Sequence, residues 1–237
     1  MITLYQPQAH FGLPNLSPFC MKLENWLRMS QIPFETKLAN IRKAPNGKVP
    51  YIKDGQDYLG DTSLIIEYLR QKYPSNLDQH LNASEQAISL AMQRLFGNHL
   101  NFAMIHNRWI EAENWPKMRA LFLGDLPPVL KQALPPLIQK KVLRDIKGHG
   151  LGKHPAETIY KMALADLKAV RDFLADKPYF MGEQPTSLDA IAYAFLANIL
   201  WVPLTNPLQD FIQDSLNLVA YCERMRERYY AKTVEAL

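Results

Sequence analysis

The feature that most constrains this chain is a change of hydrophobic periodicity near residue 75: before it, short apolar runs alternate with helical patterns, and after it only helical patterns recur. Ile2 to Tyr5 is a short apolar run, Pro18 to Ser30 carries Phe19, Leu23, Trp26 and Leu27 at helical spacing, and Pro33 to Ala39 reads as extended. Val49 to Lys53 and Tyr58 to Leu59 flank Asp54 and Gly55, a turn pair that favours a hairpin. Asp61 to Lys72 then reads as a helix with Leu64, Ile65, Tyr68 and Leu69 as its stripe. Beyond the polar connection Tyr73 to Ala83, helical patterns run from about Ser84 to Glu113, Lys117 to Leu123, Pro136 to Gly148, Pro155 to Ala175, Leu188 to Leu200 and Ser215 to Tyr230. Pro127-Pro128, Gly148 to Gly152 and Pro203 punctuate them.

The order β-α-β, then β-β-α, predicts a thioredoxin-like α/β domain with a mixed sheet over residues 1–75. Residues 84–237 are expected to form a separate all-helical domain. With 48% hydrophobic and 21% charged residues, the 237-residue chain can bury a full core and is too apolar to be disordered. Its longest apolar block, Ala190 to Ala197, runs into Asn198 and Pro203 and falls short of the ~20 residues a membrane span needs. No membrane span is expected, and Ala190 to Leu200, apolar on all sides, reads as a buried central helix. The opening MITLYQPQ reads as a strand and lacks the pattern of a secretory signal. Cys20 and Cys222 make a poor disulfide framework for so long a chain, so reduced thiols in a cytoplasmic protein are the simplest reading. The net charge is +4, with basic and acidic residues interleaved throughout, so nucleic acid is not an expected partner.

Three segments have the makings of a site. In Ser17-Pro18-Phe19-Cys20, Ser17 fits an N-cap and Pro18 the first helical position, where free backbone N–H groups favour an anion. In Lys48-Val49-Pro50-Tyr51 a proline opens a strand, and a cis Val49-Pro50 bond would turn the Val49 N–H and C=O toward a peptide-like ligand. In Gly60-Asp61-Thr62-Ser63 the hydroxyls and backbone N–H groups suit a carboxylate, and the Asp61 carboxylate suits an ammonium group. Taken singly, each segment also has a plain reading: a capped helix, a trans proline at a sheet edge, and a second capped helix.

Jointly, in order and spacing, the three resemble the ligand-binding half of a glutathione transferase, and the resemblance extends over essentially the whole chain. It implies glutathione as co-substrate, a small electrophile as its partner and a homodimer. It places Ser17 against the glutathione sulfur as the catalytic residue, and Val49 and the cis-proline Pro50 along the cysteinyl backbone. Asp61 and Thr62 fall at the γ-glutamyl end, with Phe19 and Lys48 among the glutathione-binding residues. In the helical half, Gly182 followed by Thr186-Ser187-Leu188-Asp189 resembles the family's capping box. SPFCMKLENWLRM, GKVPYI, the Arg108-Trp109 and Asn114-Trp115 pairs and YFMGEQPTSLDAIAYAFLANIL resemble the branch that includes failed-axon-connections and metaxin-like proteins. That branch includes proteins better known for transport or cellular roles than for transferase chemistry, so the alternative is a non-catalytic binding or adaptor protein. The stretch Gln6 to Leu16 is long for the family, and is expected to cover the site or reshape its mouth.

Other residues compete for roles. Tyr5 ends the first strand, where other transferase classes place a catalytic tyrosine, and packing is its plainer reading. Cys20 lies three residues after Ser17, a C-x-x-C-like frame without its first thiol, so it reads as buried or as a former of mixed disulfides. His99 and His106 are seven apart, an uncommon spacing for zinc, and no metal is expected; they read as a polar cleft stripe or as ordinary packing. Trp109, Trp115 and Phe122 read as core or as lining for an apolar co-substrate.

Overall fold

The computed structural model describes residues 1–75, 77–124 and 127–234. Four strands, β1 (Ile2–Gln6), β2 (Phe34–Leu38), β3 (Tyr51–Asp54) and β4 (Asp57–Gly60), form one sheet in the order β2-β1-β3-β4. β1 runs parallel to β2 and antiparallel to β3, and β3 and β4 make the hairpin expected around Asp54-Gly55. Helices α1 (Pro18–Met29) and α2 (Thr62–Lys72) complete the α/β part. Along β1 the side chains alternate: Ile2 and Leu4 join the buried core with Leu23, Leu27, Ile65 and Leu69, and Gln6 donates to Glu24 of α1 at 2.6 Å. Thr3 and Tyr5 therefore point to the opposite face.

The rest is helical: α3 (Ala83–Arg94), α4 (Asn101–Trp109), α5 (Trp115–Leu123), α6 (Pro128–His149), α7 (Ala156–Leu174), α8 (Ser187–Leu200), α9 (Pro207–Asp214) and α10 (Leu216–Val234). All fourteen residues of α8 are buried, so the expected central helix is there. α8 packs on α1, where Asn25 donates to the Ala190 carbonyl at 2.8 Å and Trp26 Nε1 to Ser187 Oγ at 3.0 Å. The expected capping box also forms: the Thr186 N–H and hydroxyl donate to Asp189 at 2.7 and 3.0 Å, and the Phe180 N–H adds a third bond at 3.0 Å.

Three readings of the helical half need correction. The helix expected from Ser84 to Glu113 is two helices joined by a π-turn at Leu95–Leu100, and Gly97 within it lies near the Phe19 ring and Ile191. The helix expected from Pro136 starts eight residues earlier, because Pro128 occupies its first turn, and it runs on through Pro135 and Pro136. α9 was not expected, although Asn206 caps it by accepting from the Leu208 N–H at 2.9 Å and Pro207 opens it. Residues 235–237 of the expected helical domain lie outside the described residues. Among the described residues no helix is long and apolar enough to cross a membrane.

Candidate functional site

Strand register brings the three segments to one end of the sheet. Tyr51 pairs with Tyr5 on one side and with Gly60 on the other. Pro50 therefore lies level with the end of β1, and Asp61 falls beside it. From that same end β1 leaves for α1. The Val49-Pro50 peptide is cis. The intervening stretch folds back on itself: His10 and Leu13 bridge, Phe11 and Gly12 turn at positive φ, and Asn15 closes the loop by donating to the Pro7 carbonyl at 2.7 Å. Asn15 also accepts from the Ser17 N–H at 2.9 Å, which fixes the start of α1.

Ser17 is the N-cap of α1 and is half-buried. Its Oγ accepts from the Cys20 N–H at 3.4 Å, a long bond. Cys20 is fully buried, and burial pushes its thiol up to about 12 against a lowering hydrogen bond from Ser17. It is a packed residue and not a reactive thiol. Tyr5, on the far face of the sheet from α1, stacks on Tyr51 with centroids 4.6 Å apart and planes 9° apart. Its contacts are with Tyr51 and Tyr58, which fits packing.

Asp61 caps α2 with its carboxylate accepting from the Ser63 and Leu64 N–H groups at 2.9 and 3.4 Å. Its backbone sits at φ 68°, a left-handed conformation that L-residues adopt only when the surroundings impose it. Thr62 is buried beside it and accepts from Lys22 Nζ of α1 at 3.4 Å. Lys22 is only 5% exposed, and burial lowers its pKa to about 8, opposed by Asp61 and reinforced by Arg94 and Arg70. A cation thus bridges the starts of the two helices. The sequence reading missed it, and the available signal was its place four residues before Trp26 on the buried face of α1.

Phe19 packs edge-on against Phe195 with centroids 5.8 Å apart and lines, with Lys22, Ser63, Ile66, Arg94 and Asn98, a cavity of about 890 Å³ between α1, α2 and α3. Lys48 is exposed in the turn before Val49, and Val49 is half-buried. Trp109, Trp115 and Phe122 form their own cluster, Trp109 lying 5.8 Å from Trp115 and 5.4 Å from Phe122, away from this cavity. The two histidines part company: His99 pairs with Asp166 of α7, and His106 faces Glu111 at 3.4 Å with its pKa lowered by burial. His106 Nδ1 is buried and, among the described residues, has no hydrogen-bond partner. Among the described residues no group of three or more His, Cys, Asp or Glu is placed to hold a metal ion.

Residues 18–114 match the glutathione S-transferase N-terminal domain, and residues 163–225 match the glutathione S-transferase C-terminal domain. The isoprene-epoxide–glutathione S-transferase of Rhodococcus sp. (strain AD45) is 32% identical over 97% of this chain and 99% of its own length. The chain belongs to the glutathione S-transferase family. Two further relatives of this transferase-family chain are Failed axon connections of Drosophila melanogaster, 30% identical over 97% of the chain but 58% of that protein, and human Metaxin-2, 28% identical over 89% of the chain and 81% of that protein. Among solved structures, a glutathione S-transferase from Methylobacillus flagellatus with glutathione bound aligns with TM-score 0.62 at 15% identity over 99% of this chain and 98% of its own. Glutathione S-transferase III in apo form aligns with TM-score 0.62 at 17% identity, over 99% of this chain and 95% of its own. At those identities the likeness is one of fold.

Proposed function

We infer that this protein binds glutathione where Ser17, the cis Val49-Pro50 element and Asp61-Thr62 meet, and transfers its sulfur to small electrophiles. The observation that carries the reading is the convergence of these segments at one sheet end, with the Lys22 cation between the two helix starts. Residues 1–75 are the glutathione-binding domain and residues 84–237 supply the electrophile pocket. The Val49 backbone pairs with the cysteinyl unit, and Lys48 meets the glycyl carboxylate at the mouth. The Thr62 N–H and hydroxyl together with Lys22 hold the γ-glutamyl carboxylate, while the Asp61 oxygen not used in capping accepts from the ammonium. Phe19 walls the cavity beside Lys22.

Ser17 donates its hydroxyl proton to the sulfur. The partial positive charge at the start of α1 acts in the same direction, lowering the thiol from its ordinary pKa of ~8.5 toward neutrality. The Rhodococcus relative, whose name specifies an isoprene-epoxide substrate, supports conjugation to an electrophile. A homodimer fits exposed Leu64 of α2 with Ile88 and Leu90 of α3, and a cytoplasmic setting fits two buried free thiols.

The second reading is a binding or adaptor protein without turnover, favoured by the likeness to Failed axon connections and Metaxin-2. A glutathione titration paired with a conjugation assay over several electrophiles tests both. Binding with turnover supports the transferase; binding without turnover, or no binding, selects the adaptor.

A further inference from the structure

Arg108 of α4 belongs to no part of the proposed glutathione contact set, yet its guanidinium holds the carbonyl of Leu16, the residue before Ser17. It is 5% exposed and bonds only to neutral groups: Nη1 donates to the Leu16 carbonyl at 2.6 Å, and Nη2 to the carbonyl and Oδ1 of Asn198, each at 3.0 Å. Among the described residues it forms no ion pair. Burial lowers its pKa to about 10, which leaves it a cation at neutral pH. An enclosed charge without a counter-charge is strongly unfavourable by itself, and a neutral amide would tie down a carbonyl without that penalty. The site therefore keeps an enclosed positive charge with no protein counter-charge among the described residues.

Its surroundings show where that charge acts. Leu16, whose carbonyl it holds, is the residue before Ser17. The residue before that, Asn15, has its carbonyl held by Asn198 Nδ2 at 3.2 Å, while its side chain accepts from the Ser17 N–H at 2.9 Å. Arg108 and Asn198 thus clamp both peptide units that lead into α1. One peptide unit separates the guanidinium from Ser17, and the helix start adds partial charge of the same sign at the same place.

We propose that Arg108 is the positioning residue of the sulfur subsite: its unpaired cation, clamped behind Leu16 and Ser17, favours an anionic sulfur over a neutral one at the start of α1. It touches only protein, so it acts through the field and through the placement of Ser17. This rests on the glutathione reading given above. A unit charge at such a remove, acting through an effective dielectric of ~20, changes relative affinity for an anion by roughly tenfold or more.

The test is calorimetric, with two probes that share the tripeptide frame: glutathione sulfonate, charged at the sulfur, and S-methylglutathione, neutral there. The unmodified protein should prefer the sulfonate by about tenfold or more. Arg108→Lys, which keeps the charge, should retain that preference, and Arg108→Gln should lose most of it. Asn198→Asp should lose it as well, because a carboxylate beside the guanidinium cancels the field with the arginine still in place. Circular dichroism establishes which variants are folded; if Arg108→Gln is not, Asn198→Asp and the parent's own preference decide. An undiminished preference in a folded Gln or Asp variant, or equal affinity for both probes in the parent, overturns the proposal. Failure of the parent to bind either probe refutes the glutathione reading itself, and this proposal falls with it.

Discussion

Replacing Lys22 with methionine separates what this residue does for folding from what it does for a ligand. The amine is enclosed, and its pKa falls from 10.5 to about 8, chiefly through burial. A shift of that size corresponds to roughly 3 kcal/mol by which the charged form is less favourable in the folded protein at neutral pH. Methionine is of similar length and carries no charge, and the bond it removes, to Thr62 at 3.4 Å, is long. Lys22→Met should therefore stabilise the ligand-free protein at pH 7 by about 1 to 3 kcal/mol. The sign of the pH dependence follows from linkage. Between about pH 8 and 10.5 the unfolded chain holds the lysine proton more tightly than the folded one, so the parent gains stability as pH rises and the variant does not. The advantage of the variant should be complete below pH 8 and shrink toward zero near pH 10.5. Urea unfolding at pH 7 and at pH 9.5 reads both effects. Glutathione binding should move the opposite way, weakening by about 1.5 to 3 kcal/mol as a charged partner is lost. A variant that is less stable than the parent at pH 7, or that binds glutathione unchanged, refutes the reasoning.

Ser17→Ala should lower kcat/KM for conjugation by tens to hundreds of fold, a barrier increase of about 2 to 4 kcal/mol, with a smaller loss of glutathione affinity; paired kinetics and titration check it. Thr62→Ala should weaken glutathione binding by about 0.5 to 1.5 kcal/mol, or up to about 3 if the hydroxyl meets a carboxylate, as read by titration of a variant shown to be folded by circular dichroism. Asp189→Ala should destabilise the fold by about 3 to 5 kcal/mol in denaturant unfolding, since it strands the Phe180 and Thr186 N–H groups inside the core.

The sheet and its two helices were legible in the sequence because the runs were short and bounded by turn residues, although β2 is largely polar, and α8 because it is apolar all round. Local chemistry was legible too: Ser17, Asp61 and Thr186 cap the helices at whose starts they stand. Interruptions that depend on distant partners were not. The π-turn at Leu95–Leu100 packs Phe96 and Leu100 into the core and carries no local sequence signal. Strand register sets Pro50 and Asp61 level with the end of β1 from which the chain leaves for Ser17, whereas Lys22 and Arg108 escaped notice as charges. In a linear reading a lysine or arginine is a surface residue by default. Only packing of α1 on α2, and of α4 on α8 and the Leu16 carbonyl, shows that these two are enclosed.

Glutathione binding at the end of the sheet shared by Ser17, Val49-Pro50 and Asp61-Thr62 is open to isothermal titration of glutathione into the unmodified protein, with Thr62→Ala as the matched control. Saturable binding at one site per chain is expected, weakened in the folded control. An absence of saturable heat at millimolar glutathione, or equal affinity in the two proteins, contradicts it.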